Sequence, residues 1–94
     1  MSLLERIDRL MRIAYHIQLE KTGTLEEFAE RMEMKPDRLK DYINVVRDLA
    51  SREDAEVKYD RDRKTYYFNP HGKITDIRFK INDWVSHTLG RNNE

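Results

Sequence analysis

A change of hydrophobic period near residue 52 most limits the folds open to this chain. Up to Ala50 the apolar residues recur every three or four positions, which suits helices lying on a common core. After "SRED" (51–54) they alternate, which suits strands. A chain of 94 residues supports one modest core. The two patterns must therefore share it, and the expected class is α+β: a three-helix bundle, then a hairpin and one further strand.

The first helix is expected from Ser2 to Lys21, with Leu3, Ile7, Leu10, Ala14 and Ile17 on its inner stripe and Leu4 and Met11 beside them. Ser2 and Glu5 have capping-box spacing, and Gly23 is expected to stop the helix. Thr24 opens a second helix with Glu27 again three residues on, and its stripe is Leu25, Phe28, Ala29 and Met32. After Met34-Lys35, Pro36 suits the first turn of a third helix, in which Leu39, Tyr42, Ile43, Val46, Leu49 and Ala50 share an arc.

"EVKYD" and "KTYYFN" around "DRDR" read as a two-stranded hairpin with a charged tip, its inner face carrying Val57, Tyr59, Tyr66 and Phe68. "KITDIRFKI" alternates strictly and is expected to form a third strand, with Thr75, Ile77, Phe79 and Ile81 on one side. The end, "NDWVSHTLGRNNE", is ambiguous and fits a short helix carrying Trp84, Val85 and Leu89, followed by a frayed tail. The expected organisation is a domain over 1–69, a strand-bearing extension over 70–85, and a flexible tail over 86–94.

The chain has no cysteine, which removes disulfides and thiolate metal sites and fits a cytoplasmic protein. No stretch nears the roughly 20 apolar residues of a membrane helix, and the charged N-terminus does not resemble a secretory signal. Eighteen bases balance eighteen acids, so global charge gives no support for a polyanionic partner. One local bias stands out, the acidic set Glu26, Glu27, Glu30 and Glu33 against Arg31. His16, His71 and His87 lack a second ligand at metal-binding spacing, and there is no Gly-rich phosphate loop. No catalytic residue, metal, cofactor or small-molecule site is expected.

Three helices followed by a hairpin is the order of a winged helix-turn-helix. In "ERIDRLMRIAYHI", "KTGTLEEFAERMEMKPDRLKDYINVVRDL" and "VKYDRDRKTYYF" the chain resembles the DNA-binding domain of DeoR-type and WYL-type bacterial regulators over residues 1–69. The resemblance implies a transcriptional regulator whose third helix enters the major groove of double-stranded DNA while the wing follows the backbone. Where the family has Gly and a Ser cap in the turn, this chain has Glu33 and Lys35. Where the third helix usually carries two arginines, it has Asp37 and Asp41.

At about 100° per residue, Asp37, Lys40, Asp41, Asn44, Arg47 and Asp48 share the outward arc of the third helix, with Arg38 at its edge. Carboxylates there repel phosphates or simply pair with neighbours, Asp37 with Lys40 and Arg38 with Asp41. An aspartate also accepts a hydrogen bond from cytosine N4. The expected DNA contacts are Lys35, Arg38, Lys40 and Asn44 from the helix and Arg61, Arg63 and Lys64 from the wing. The alternative is a winged helix reused as a protein-interaction module. A homodimer through residues 74–85, anchored by Trp84 and an open strand edge, is a further expectation.

Overall fold

The computed structural model describes residues 2–90 and shows an α+β fold: α1 (Leu3–Leu19), α2 (Leu25–Arg31), α3 (Pro36–Ser51), a hairpin of β1 (Glu56–Asp60) and β2 (Thr65–Asn69), and α4 (Ile77–Gly90). None of these helices is long and apolar enough to cross a membrane.

Ser2 caps α1 by accepting from the Glu5 amide at 3.2 Å. The helix buries Leu10, Ile13, Ala14 and Ile17, whereas Leu3 and Leu4 stay exposed because its first two turns run past the core. It ends at Glu20, which takes a left-handed φ of 57° and whose amide bonds back to the last turn, so the stop comes three residues before Gly23. Thr24 and Glu27 form a complete capping box on α2, satisfying two amides that the short helix cannot.

Between α2 and α3 the chain turns through Glu33, whose φ of 56° is the conformation a glycine takes without steric cost. Lys35 then stands at the N-cap of α3 with no side-chain cap. Pro36 opens the helix, which buries Leu39, Ile43, Val46, Leu49 and Ala50 as its period requires.

The hairpin pairs Val57 with Phe68 and Tyr59 with Tyr66. Val57 and Phe68 are buried; Tyr66 lies over Phe28 of α2 at 6.2 Å and against Tyr59 at 4.8 Å, so the expected aromatic face does cover the helices. Thr22, between α1 and α2, is fully buried against Thr65. Its amide donates to Thr65 Oγ1 at 3.0 Å, and its own hydroxyl accepts from the Tyr66 amide at 2.9 Å. Two threonines thus tie the hairpin to the helical layer.

The expected third strand over 73–81 is instead a loop followed by the start of α4. Ile77 and Ile81, read as one face of a strand, are also four residues apart and share one face of a helix; both are buried, while Phe79 between them is 68% exposed. The cause is tertiary. Gln18 of α1 accepts the Ile77 amide on Oε1 and donates from Nε2 to the Thr75 carbonyl, each at 2.9 Å, and so caps α4 from a distant part of the chain. Ile74, Ile77 and Ile81 belong to the same core as the three-helix bundle, with Trp84 and Val85 packed against it. The open strand edge on which a dimer contact was expected does not exist. Residues 86–90 of the expected tail continue α4, and 91–94 lie outside the described residues.

Candidate functional site

Helical geometry sorts the exposed residues of α3 into three strips. Asp37, Asp41, Asn44 and Asp48 run along the middle of the outward face; Lys40 and Arg47 flank it on one side, Arg38 and Val45 on the other. On the Lys40–Arg47 side, the charge of Arg47 is felt at Tyr66 of the hairpin. The Arg38 flank faces α1, where Arg38, Asp41, Tyr42 and Val45 line an open groove together with Arg6.

Sequence spacing would allow Asp37 to pair with Lys40 and Arg38 with Asp41. Among the described residues neither pair closes to ion-pair distance, and Lys35, Arg38, Lys40 and Arg47 carry no carboxylate partner. The acid that does pair on this helix is Asp48, with Arg52 at 3.4 Å. Asn44 Oδ1 accepts from Arg47 Nη1 at 3.2 Å, so this expected base-reading residue is held by its neighbour.

The hairpin tip is organised differently. Asp60 Oδ1 accepts the amides of Asp62 and Arg63 at 2.9 and 3.1 Å, building the turn, and Lys64 closes it with a φ of 52°. Arg61 and Lys64 are exposed and unpaired among the described residues. Arg63 is not available in the same way: its guanidinium donates to Glu20 Oε1 at 2.5 Å. Glu20 Oε2 also accepts from His71 Nδ1 at 2.8 Å. Burial alone would raise the Glu20 pKa, but the hydrogen bonds from His71 and Arg63, with their charges, together hold it below the ordinary glutamate value. One carboxylate therefore fastens the end of α1 to the hairpin tip and to the turn after β2.

The histidines do not converge. His16 lies edge-on to Phe28 at 6.0 Å, and burial, then Arg31, Arg12 and Arg78, lower its pKa. His71 stacks on Tyr67 at 4.6 Å as well as bonding Glu20, and His87 approaches Asp83 on α4. A second groove of about 360 Å³ separates α3 from α4, lined by Leu49, Ile77, Ile81, Trp84 and the exposed Phe79 among others, with Arg52 over the Trp84 ring at 5.7 Å.

Of the seven residues singled out by sequence, the structure brings Lys35, Arg38, Lys40 and Asn44 to the outward side of α3 and Arg61 and Lys64 to the tip, and binds Arg63 into the scaffold. Sequence reasoning missed Arg6, because nothing in the period of α1 shows which of its polar residues border α3. It also missed Glu20 and Gln18, whose partners lie 43 to 59 residues away. No family model, curated protein or solved structure matches this chain.

Proposed function

We propose that the protein is a bacterial-type transcriptional regulator of the winged helix-turn-helix kind, binding duplex DNA with α3 in the major groove and the hairpin along the backbone. The observation that carries this reading is the state of the α3 cations. Lys35, Arg38 and Lys40 remain exposed and free of ion pairs among the described residues although Asp37 and Asp41 lie on the same helix. Unpaired guanidinium and ammonium groups release counterions from phosphates without first breaking an internal bond. Glu33 at positive φ in the turn and the hairpin packed on the helices also support it, since both belong to that architecture.

In this reading Lys35, Arg38, Lys40 and Arg61 hold phosphates, Lys64 assists at the tip, Asn44 with Arg47 meets base edges, and Arg63 shapes the wing rather than touching DNA. Fluorescence anisotropy with a labelled duplex tests it. Affinity should fall steeply with salt, and Lys40→Gln with Arg61→Gln should flatten the slope of log K against log salt by roughly 0.9 per lost phosphate contact. Absence of any complex in low-salt buffer overturns it. A second reading, a protein-interaction module, is favoured by the exposed Phe79 beside the α3–α4 groove. It requires that the same titration give no binding.

A further inference from the structure

We propose that the groove between α1 and α3 seats a DNA phosphate, which makes Arg6 a duplex-binding residue outside the helix-turn-helix and the wing. This rests on the DNA-binding reading above. A helix in the major groove, about 12 Å wide, is bounded by phosphates on both sides. The hairpin flank of α3 meets one wall with Lys40 and the tip. The opposite flank offers Arg38 alone from α3, and the structure adds Arg6 from α1 to the same groove of about 370 Å³.

Two arginines from different helices line this groove with Asp41, and neither lies within ion-pair distance of it or of any other carboxylate among the described residues. Arginine's planar fork matches a phosphate in two-point geometry, and Tyr42 and Val45 give the groove an apolar wall suited to the adjoining sugar. Arg12, farther along α1, differs: it reaches Asp8 at 4.0 Å and is absent from the groove.

The test compares wild type, Arg6→Gln, Arg6→Lys and Arg12→Gln by anisotropy against one labelled duplex over a salt series, with circular dichroism to verify folding. Arg6→Gln should weaken binding several-fold in low salt and flatten the salt slope by roughly 0.9, one phosphate's share. Arg6→Lys should restore the slope, and Arg12→Gln should leave it unchanged. If wild type binds but Arg6→Gln keeps the wild-type slope, or Arg12→Gln flattens it equally, the phosphate seat is wrong while the broader reading stands. If wild type binds no duplex, both are wrong.

Discussion

Helices α3 and α4 are similar in length, 16 and 14 residues, yet they are specified in different ways. α3 carries its reasons in its own residues: Pro36 at its first turn and five buried apolar residues at helical spacing. α4 has a weak stripe. Ile77 and Ile81 are buried, but Phe79 lies in the open, and the residues before the helix read equally well as a strand. Its first amide is satisfied by Gln18 of α1, from the far side of the core. A helix can thus be local in origin or imposed by its neighbours, and only the first kind can be read before the fold is known.

Truncation of core side chains in the two helices gives the largest expected effects. Leu39→Ala in α3 and Ile81→Ala in α4 each remove a side chain with no exposed surface and should cost about 2–5 kcal/mol, measured by urea unfolding. Equal losses would show that α4 belongs to the same cooperative unit. A negligible loss at Ile81 would break the claim that the core extends through residue 81.

Gln18→Ala is the next test and addresses the comparison most directly. It leaves the Ile77 amide and Thr75 carbonyl without their partners, and the expected cost is about 1–2 kcal/mol with some loss of far-ultraviolet helical signal. A full helical signal and unchanged stability would mean that α4 stands by its own propensity after all. The smallest effect belongs to the entry of α3. Glu33→Gly relieves a non-glycine left-handed residue but loosens the unfolded chain, so a gain of at most about 1 kcal/mol is expected, read from the urea midpoint. A clear loss would show that the Glu33 side chain has a stabilising role of its own.

The candidate site divides along the same line. That Lys35, Arg38, Lys40 and Asn44 project outward follows from 3.6-residue periodicity once the buried arc is known, and the structure shows them there. Whether a nearby carboxylate captures a cation was not legible. Asp37 and Asp41 have the spacing to pair and do not, whereas Arg63 is taken by Glu20, 43 residues earlier in sequence. The Thr22–Thr65 link is likewise silent in sequence, since a threonine in a loop and another at a strand start suggest nothing until the hairpin folds back onto the turn between α1 and α2.

Sequence by itself determined the first three helices, the caps at Ser2 and Thr24, the hairpin and its aromatic face, because each follows from contacts within a few residues and from a period that only one kind of element satisfies. Tertiary structure alone decided that residues 77–90 are helical and which cation of the hairpin tip is bound into the scaffold. Those outcomes depend on groups 43 to 59 positions apart, and a hydrogen bond across that separation leaves no periodic trace in the chain that makes it.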